Sequence, residues 1–407
     1  MARHFEAPKK NKKMGTLYVI LLLLMALVAI AFMIMVIIVD AFPASMTMTF
    51  LIVMFVMIAL AWILFKRNKK WLRAIGILLA ALFVAIYGLG IYYLSTTYAM
   101  FARISVDQQE AAAEAKSVDV TTDSFNVYIT GIDQWDSEKG YDLERSDVNM
   151  IVTVSPQARK ILLTSIPRDT YVPLHRNGAM DKLTHTGIYG VDETLNTMED
   201  WLGFDMNYYA KANFSAVVDV INAMGGVDVY SEKSFRPVKR DWWKVKKGWN
   251  HMNGKQALAF ARERKAFDGE DAQRVDNQQK VVKAMLDKML SSSTLLTKYG
   301  DILEAAGDSM ETNMPTSDMQ ALVKMQLADL GAWDIEMQKI TGDYDMDYVA
   351  SLTQEEKFLV YKADAKSIAQ VQDKIEKTLN PSAAEIAEAT ARRQKNSISS
   401  FIKSLKK

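Results

Sequence analysis

Three uncharged apolar runs at the start of the chain constrain its fold most strongly. They cover residues 17–39, 46–65 and 74–94. As helices, runs of 20 or more residues are long enough to cross roughly 30 Å of hydrocarbon at about 1.5 Å per residue. A buried core helix of this length without a charge is unusual. We therefore predict an N-terminal membrane region, residues 1–94, with three transmembrane helices.

The short segments that flank these runs predict their orientation. The first 13 residues carry five Lys or Arg and one Glu, and the turn 66–73 carries five more, whereas the loop 40–45 has only Asp40. Because Lys and Arg near membrane ends stay on the cytoplasmic side, we predict a cytoplasmic N-terminus in the cell membrane. Three crossings then leave everything after Leu94 extracellular. A cleaved signal peptide is disfavoured, since the first run is too long and two further runs follow.

Charge and cysteine content exclude several classes for the extracellular part. The whole chain is +1 and the first 94 residues contribute +8, so residues 95–407 sum to −7. Clustered Arg in this acidic part is therefore not a by-product of a basic protein, and a general nucleic-acid surface is disfavoured. The absence of Cys excludes disulfides, thiol nucleophiles and thiolate zinc sites. This is typical of the outer face of a Gram-positive type bacterium.

The extracellular part divides by its pattern into a linker, one domain and a tail. Residues 95–123 are polar and rich in Ala, Glu and Gln, and residues 381–407 form a charged, helical pattern. Between them, at 124–380, short apolar runs such as "KILLTSI" alternate with helical patterns such as "VDETLNTMEDWLG". Such alternation favours an α/β domain whose sheet is covered by helices on both faces.

Charged residues follow or precede the apolar runs of this domain at several places. They are Asp133, Arg145, Asp147, Arg168 with Asp169, and Asp181 with Lys182. The densest stretch is "FARERKAFDGEDAQRVDNQQK", which supplies Arg262, Arg264, Asp268, Asp271, Arg274 and Gln278. Arg274 and Gln278 lie four apart on a predicted helix and so share one face.

This composition suits a diphosphate and its metal. Arg presents a planar fork of donors that matches phosphate oxygens and remains ionised in any environment. Asp133 and Asp147 are the carboxylates that we expect to hold a hard divalent cation. In "ILLTSIPRDTYVPL" Arg168 lies just after an apolar run, so a guanidinium and the Asp169 carboxylate are placed at the end of a predicted buried strand.

Structural interpretations of the same residues stay open. An Arg168–Asp169 pair alone is more often an ordinary ion pair than a site. Asp268 precedes Gly269 and suits a turn, and Asp271 suits a helix N-cap. His185 has no Ser/Asp arrangement around it in sequence, so a structural hydrogen-bonding role is favoured. The sequence contains no GxSxG, HExxH or Walker motif.

Seven segments in order resemble the LytR–CpsA–Psr (LCP) family of bacterial cell envelopes. They are "GID", "RSDVNMIVTV", "KILLTSIPRDTYV", "DKLTHTGIYG", "NYYAKANFSAVVDVINAMGGVDV", "QALAFARER" and "DAQRVDNQQKVV". The three-span start resembles the capsule-type (CpsA-like) members. Some of these have an additional extracellular domain before the catalytic domain, for which the linker here leaves no room.

The resemblance implies a mixed sheet in an α/β/α arrangement and a phosphotransferase. Such an enzyme takes a glycopolymer, whether capsular polysaccharide, exopolysaccharide or teichoic acid, from an undecaprenyl-pyrophosphate carrier and attaches it to peptidoglycan through a phosphodiester. Capsule-assembly proteins are further expected partners. The family pattern would place Mg²⁺ or Mn²⁺ on Asp133 and Asp147. It would place the pyrophosphate on Arg145, Arg168, Arg262, Arg264, Arg274 and Gln278, and more weakly on Lys182, with Asp271 as a weaker catalytic residue. The lipid tail of the carrier would then lie in the apolar interior behind Arg168. Val217, Val218 and Ile221 would suit this tail or an ordinary core equally well.

Two other functions remain open at this stage. The first is hydrolysis of the same lipid pyrophosphate, with water as the acceptor. The second is a non-catalytic regulator or scaffold of capsule assembly, although the short basic cytoplasmic flanks leave no room for a helix-turn-helix. The general base is not fixed by the sequence, and either a carboxylate near the metal or Asp271 would serve.

Overall fold

The computed structural model describes most of the chain. The described residues are 15–104, 116, 118–132, 146–237, 243–264, 266, 270–291, 294, 298–307, 310–329, 331–352 and 355–393. Packing divides the chain into two compact units, Met1–Tyr98 and Ala99–Lys407.

The first unit contains the three predicted apolar helices, which are confirmed. They are α1 (Thr16–Val39), α2 (Ala44–Lys66) and α3 (Lys70–Ile104). Each is long and apolar enough to cross a membrane, the third over Lys70–Ala99. The third helix continues past the predicted end at Leu94 because Ser95 and Thr96 are polar but remain helical, with both hydroxyls bonded to Tyr92 O. The hydrophobic pattern therefore located this helix but underestimated its length.

Side-chain exposure in these helices is the reverse of that in a soluble bundle. Large apolar residues such as Leu27 and Phe55 are exposed, and Phe55 is 74% exposed. A Cβ on Gly90 would lie 2.7 Å from the Phe32 ring, so α1 and α3 approach closely there. The exposed apolar surface suits hydrocarbon, since lipid tails cover such side chains without the cost of contact with water.

The second unit is built on a six-stranded mixed sheet, as predicted. Its strands are β1 (Phe125–Ile132), β2 (Ser146–Ser155), β3 (Lys160–Ile166), β6 (Tyr208–Asn213), β9 (Met310–Thr312) and β10 (Asp334–Lys339). The order is β10-β3-β2-β1-β6-β9. β1 pairs with β6 and β10 with β3 in parallel, and the other neighbours are antiparallel. The apolar run at 160–166 is a correctly predicted strand, whereas the local sequence pattern does not predict β6 or β9.

Helices cover both faces of this sheet. The helices of the unit are α4 (Leu183–Thr186), α5 (Val191–Leu202), α6 (Phe214–Ala223), α7 (Gly254–Ala261), α8 (Glu270–Met289), α9 (Tyr299–Ala306), α10 (Thr316–Ala328) and α11 (Ala365–Leu379). α5 and α11 pack on the face that carries Tyr128, Ile151 and Leu162. α8 packs on the opposite face through Val282 and Leu286. The predicted arrangement with helices on both faces is therefore confirmed.

A second apolar core lies on the far side of α8. It joins α6, α7, α8 and α9 to an antiparallel hairpin, β7 (Val227–Ser231) and β8 (Gly248–Met252). α7 begins with a capping box in which the Asn253 side chain accepts from Gln256 N and the Gln256 side chain accepts from Asn253 N. The capping box satisfies backbone N–H groups that lack a partner at the start of a helix, which fixes where the chain turns from β8 into α7.

Two smaller hairpins complete the described fold. They are β4 (Tyr171–Pro173) with β5 (Met180–Lys182), and β11 (Gly342–Asp347) with β12 (Phe358–Ala363). Val360 of β12 is buried, while the side chain of Tyr344 on β11 remains exposed. Residues 383–393 of the predicted charged tail are helical.

Candidate functional site

The candidate residues lie along one edge of the sheet, here meaning the side where β1, β3 and β6 end and β2 begins. Ile132 pairs with Ser146 and with Asn213, so β1 and β6 end where β2 begins. Asn149 pairs with Ile166 at the end of β3. The loops that leave these strands therefore meet at a single edge, although they are far apart in sequence.

Four charged side chains form a continuous chain at this edge. Arg168 Nη1 lies 2.6 Å from Asp147 Oδ1, and Arg168 Nε lies 3.4 Å from Asp169 Oδ2. Lys182 Nζ lies 3.2 Å from Asp169 Oδ1. The side chain of Arg168 as a whole remains 31% exposed, although its Nε is buried. The structure thus brings Asp147, Arg168 and Lys182 together, with Asp169 between the two cations.

Backbone hydrogen bonds hold this chain of charges in place. Thr170 N donates to Pro167 O at 3.0 Å, which closes the turn that carries Arg168 and Asp169. Thr184 N donates to Arg168 O, and Thr184 Oγ1 donates to Ser146 O, both at 2.9 Å. The turn after β3 is therefore fastened to α4 and to the first residue of β2. Such fixed side chains are suited to binding a charged group without rearrangement.

A buried polar pair lies beside Asp147 in the sheet. Tyr128 and Asn149 are both buried, and the Tyr128 hydroxyl donates to Asn149 Oδ1. Burial raises the pKa of Tyr128 well above its ordinary value, so the phenol stays protonated and remains a donor. Asn149 Nδ2 is also buried and makes no hydrogen bond among the described residues. A buried donor that lacks a partner costs about 1–3 kcal/mol, so Asn149 is a polar group whose hydrogen bonding the described residues leave incomplete.

Arg262 is held against an aromatic ring at the end of the neighbouring strand. Its guanidinium carbon lies 4.7 Å from the centroid of the Phe214 ring, and Phe214 follows the last residue of β6. A Cβ on Gly131 would lie 3.1 Å from Val148 and 3.9 Å from the Phe214 ring. Cation–π contact restrains the orientation of the guanidinium plane over the ring. Arg262 is therefore oriented by β6 and α6 rather than by its own helix alone.

α8 places Arg274 over the same end of the fold. Arg274 is only 4% exposed, and one turn later Asn277 Nδ2 donates to Phe260 O at 3.2 Å, near the end of α7. Asp276 Oδ1 lies 2.6 Å from Lys339 Nζ at the end of β10. α8 is thus tied both to the segment that precedes Arg262 and to the sheet edge.

The remaining predicted residues stand as follows. Asp133, Arg145 and Asp268 lie outside the described residues. Arg264 is half-buried just after α7, Gln278 is half-buried one turn beyond Arg274, and Asp271 lies in the first turn of α8. Their assigned roles therefore remain predictions.

Among the described residues, Asp147 is the predicted ligand of a divalent cation that can be assessed. No group of three or more His, Cys, Asp or Glu that could hold a metal occurs among them. Asp147 Oδ1 accepts a hydrogen bond from Arg168 Nη1. Asp147 Oδ2 makes no polar contact within the described part of the chain. Mg²⁺ is commonly held by one or two carboxylates together with substrate phosphates and water. A hard carboxylate oxygen beside the Arg168 guanidinium would fit this mode.

His185 occupies a structural network near the charged edge. Its Nδ1 lies 2.8 Å from Asp181 Oδ1 and 2.9 Å from Ser351 Oγ, and both His185 and Asp181 are buried. Ser351 N also donates to Asp181 Oδ2 at 2.8 Å. Burial alone would raise the pKa of Asp181, but hydrogen bonds from His185, Ser351 and Lys182 N hold that pKa below its ordinary value. This network fastens the 348–352 loop to β5 and α4.

Sequence reasoning missed two charged residues at this edge. Lys339 ends β10 and pairs with Asp276 of α8. The signal that identified Arg168, a charge at the end of an apolar run, is also present in "IEMQKI" at Lys339. Asp276 carried no comparable signal, because it sits within a helical pattern that is charged throughout.

The fold and the site together define a class of protein. It is an α/β/α domain with a guanidinium-rich sheet edge, following three apolar helices long enough to cross a membrane. The LytR_cpsA_psr family model matches residues 91–377. The chain therefore belongs to the LytR_cpsA_psr family, which confirms the resemblance found in its motifs.

Named relatives and solved structures agree with this assignment. The polyisoprenyl-teichoic acid–peptidoglycan teichoic acid transferase TagU of Bacillus licheniformis is 30% identical over 77% of this chain and 98% of its own length. The corresponding TagT of Bacillus subtilis is 34% identical over 62% of this chain and 80% of its own length. The structure of TagT bound to LIIa-WTA has a TM-score of 0.53 at 28% identity and covers 65% of this chain and 94% of that chain. B. subtilis TagV gives 0.53 at 29% identity, covering 64% and 99%.

Proposed function

We propose that this protein is a membrane-anchored transferase that moves a glycopolymer from an undecaprenyl-pyrophosphate carrier to peptidoglycan. The observation that carries the proposal is the Asp147–Arg168–Asp169–Lys182 chain of charges at the sheet edge. It occurs in a family whose named relatives are transferases between a polyisoprenyl-linked polymer and peptidoglycan. The domain follows helices that are long and apolar enough to keep it beside a membrane-borne carrier.

The proposed reaction is a displacement at phosphorus. A peptidoglycan hydroxyl oxygen attacks the phosphorus atom that bears the polymer. The bond from this phosphorus to the bridging oxygen breaks, and undecaprenyl phosphate leaves with that oxygen. The hydroxyl proton passes to a base, for which a carboxylate beside the phosphates or Asp271 remains the candidate. The product is a phosphodiester between polymer and peptidoglycan.

The chain's own residues would stabilise the charge that this reaction develops. Arg168 and Arg262 are held in fixed orientations at the same edge, by Asp147 and by the Phe214 ring. Preorganised donors aimed at phosphate oxygens lower the barrier because they need no reorientation during the reaction. Arg145, Arg264, Arg274, Gln278 and Lys182 would complete the pyrophosphate-binding set.

Mg²⁺ or Mn²⁺ is the proposed cofactor, with Asp147 and Asp133 as its protein ligands. When bound, the ion would neutralise phosphate charge beside the arginines. Asp147 meets this requirement with a carboxylate oxygen that is not engaged among the described residues. Arg168, bound to the other oxygen, fixes the orientation of that carboxylate.

The lipid tail would lie between the sheet and α8. Val127 and Ile129 on the sheet face Val282 and Leu286 on α8, and all four remain only partly buried within that apolar cluster. An apolar layer that retains exposure is suited to accept a hydrocarbon chain, since burial of that surface is favourable. Ile221, a residue considered for the tail, instead packs in the second core between α6 and the β7–β8 hairpin.

The full-length chain in detergent, supplied with a labelled lipid-pyrophosphate saccharide, peptidoglycan and Mg²⁺, tests this function. We expect a covalent saccharide–peptidoglycan conjugate. Arg168→Ala should lower its rate by roughly 10²–10³-fold, the effect of removing one preorganised oxyanion donor. Arg176→Ala is the matched control, because Arg176 is exposed and stacks on Tyr189 away from the charge chain.

Three results would contradict the proposal. If folded Arg168→Ala and Arg264→Ala variants both keep full transfer, the site assignment is wrong. If free phosphorylated saccharide forms without conjugate, the reaction is hydrolysis of the carrier. Normal polymer attachment in cells by a variant lacking both Asp133 and Asp147 would favour the scaffold role instead.

A further inference from the structure

The β7–β8 hairpin and its connection are strongly basic, in contrast to the acidic part of the chain that contains them. The described residues 227–237 and 243–255, here termed the basic hairpin, contain six Lys or Arg and two Asp or Glu, a net charge of +4. Residues 95–407 as a whole sum to −7. A segment of opposite sign to its surroundings attracts anions to one region of the surface.

Several cations of the basic hairpin are exposed and unneutralised. Lys244, Lys246, Lys247 and Lys255 are exposed and form no ion pair within the described part of the chain. Their backbone is nevertheless fixed. Lys246 N donates to Asn250 Oδ1 and Lys247 N donates to Ser234 Oγ, both at 2.9 Å. Val245, between them, is buried and pairs with Phe235. The lysines are thus presented from an ordered support.

The outer face of the hairpin adds an aromatic pair to this charge. The Tyr230 and Trp249 rings meet edge to face with centroids 5.6 Å apart, and Trp249 is 73% exposed. The next cross-strand pair on the same face is Asp228 with His251, at 2.9 Å. Exposed ring faces next to hydrogen-bonding groups can contact the C–H faces and hydroxyls of sugar rings. The basic hairpin therefore combines groups for phosphate and for sugar.

A glycopolymer suits this surface better than a lipid bilayer. Between residues 190 and 336, Tyr230 and Trp249 are the only exposed large hydrophobic side chains in the described part of the chain. A surface that inserts into a bilayer needs a wider apolar face beneath its cations. A chain of sugars joined by phosphodiesters requires only isolated rings and spaced positive charges.

The basic hairpin is joined directly to the elements of the candidate site. β8 leads into α7, whose last residue is followed by Arg262. Lys280, two residues after Gln278 on α8, forms a 2.6 Å ion pair with Glu232 in the hairpin connection. Residues of the hairpin and of α7 and α8 share one apolar core. A polymer bound on the hairpin would therefore be held by the same rigid framework as the group at the arginines.

We propose that the basic hairpin is a binding surface for an anionic glycopolymer whose repeating units carry phosphodiesters. Resting on the proposed function, this surface would hold the polymer chain while its carrier-linked end lies at the sheet edge. The substrate class is thereby narrowed to polymers with regularly spaced negative charge. Binding of the lipid-free polymer does not require transfer, so the two proposals can be tested separately.

The test measures binding of lipid-free poly(glycerol phosphate) teichoic acid to the full-length chain in detergent. The Lys244→Ala/Lys246→Ala/Lys247→Ala variant should bind at least tenfold more weakly and show a shallower dependence of affinity on salt. Lys366→Ala/Lys374→Ala/Lys377→Ala, three exposed lysines of α11, removes the same charge and should change affinity less than twofold. Trp249→Ala should weaken binding several-fold at every salt concentration.

Other outcomes distinguish this proposal from the proposed transfer function and from binding of the hairpin to a membrane. Arg168→Ala should retain polymer binding, even if it abolishes transfer. Unchanged affinity in the hairpin triple variant would overturn the proposal, as would equal binding of neutral dextran. Vesicles of phosphatidylglycerol that compete with the polymer for the wild-type protein but not for the hairpin triple variant would assign the surface to the membrane instead.

Discussion

Arg168 and Asp147 are joined by a 2.6 Å ion pair that links the turn after β3 to the start of β2. Both side chains are partly exposed, at 31% and 22%, so the pair adds little to stability in water. Its main effect is orientation, because each group restricts the other at the edge where the strands end. Under the proposed function, the guanidinium of this pair would bind a phosphate and the carboxylate would bind a cation.

Removal of the Asp147 charge should change the metal requirement of transfer. We expect Asp147→Asn to lower the rate ten- to a hundredfold, within the range for changed metal-ligand environments, and to raise the Mg²⁺ concentration at half-maximal rate. The measurement is the transfer rate against Mg²⁺ concentration. Asp200→Asn, which alters an exposed carboxylate paired with His175, is the control. An unchanged Mg²⁺ requirement in Asp147→Asn would remove this residue from the metal site.

The ring beneath Arg262 should matter for substrate binding. Phe214→Leu keeps an apolar side chain but removes the ring face 4.7 Å from the guanidinium carbon. A cation–π contact contributes about 0.5–2 kcal/mol, so transfer at low substrate should fall about 2- to 30-fold, mainly through KM. Phe214→Tyr retains the ring face and should remain near wild type. Equal kinetics for the Phe214→Leu and Phe214→Tyr variants would show that the Phe214 ring does not position Arg262.

The Asp181 network should make stability depend on pH in a defined direction. Hydrogen bonds hold the pKa of Asp181 below its ordinary value despite burial. The ionised carboxylate therefore contributes to the free energy of unfolding, and this contribution is fully present above the unfolded-state pKa of about 3.9. That contribution is lost as the pH falls through the lower, folded-state pKa. Asp181→Asn should cost about 1–3 kcal/mol at pH 7, and the difference from wild type should shrink below pH about 4.

Thermal unfolding in detergent at several pH values measures this difference. Asp373→Asn, on the exposed face of α11, controls for the loss of one charge. If the difference in stability between wild type and Asp181→Asn stays constant down to pH 3, the Asp181 charge has no role in stability.

Close packing of α6 against α7 should make Gly254 intolerant of any side chain. A Cβ there would lie 2.1 Å from Val218 O, which is backbone and cannot rotate away. Gly254→Ala should therefore destabilise the protein by about 1–3 kcal/mol or more, although Ala favours helix. Each kcal/mol lowers the melting temperature by about 2–4 °C in a domain of this size. The exposed neighbour Lys255→Ala is the control, and a Gly254→Ala variant as stable as wild type would contradict the close approach.

The absence of native Cys allows a clean test of topology. We expect Ser45→Cys and Ser382→Cys to react with a membrane-impermeant maleimide on intact cells, since both lie on the predicted outer side. Asn68→Cys, in the basic turn between α2 and α3, should react only after permeabilisation. All three positions are exposed in the structure, so burial would not prevent labelling. The reverse pattern would place the N-terminus outside.

Local pattern predicted the elements that depend on their own residues. The apolar run 160–166 is β3, and the helical pattern beginning at Val191 is α5. β6, with the sequence "YYAKAN", was not predicted because it is short and mixed in polarity. It becomes a strand through its pairing with β1 and its tertiary contacts, which no local window contains.

The sequence by itself determined the three apolar spans, the family, the strand-forming runs and the types of residue available for phosphate binding. Only the tertiary structure decided that Asp147, Arg168 and Lys182 meet, and that Lys339 reaches Asp276, 63 residues away. The physical reason is that periodicity and capping act between near neighbours, whereas strand order and helix placement depend on packing among distant segments. The basic hairpin shows the same division: its charges are visible in the sequence, but their common surface depends on the pairing of β7 with β8.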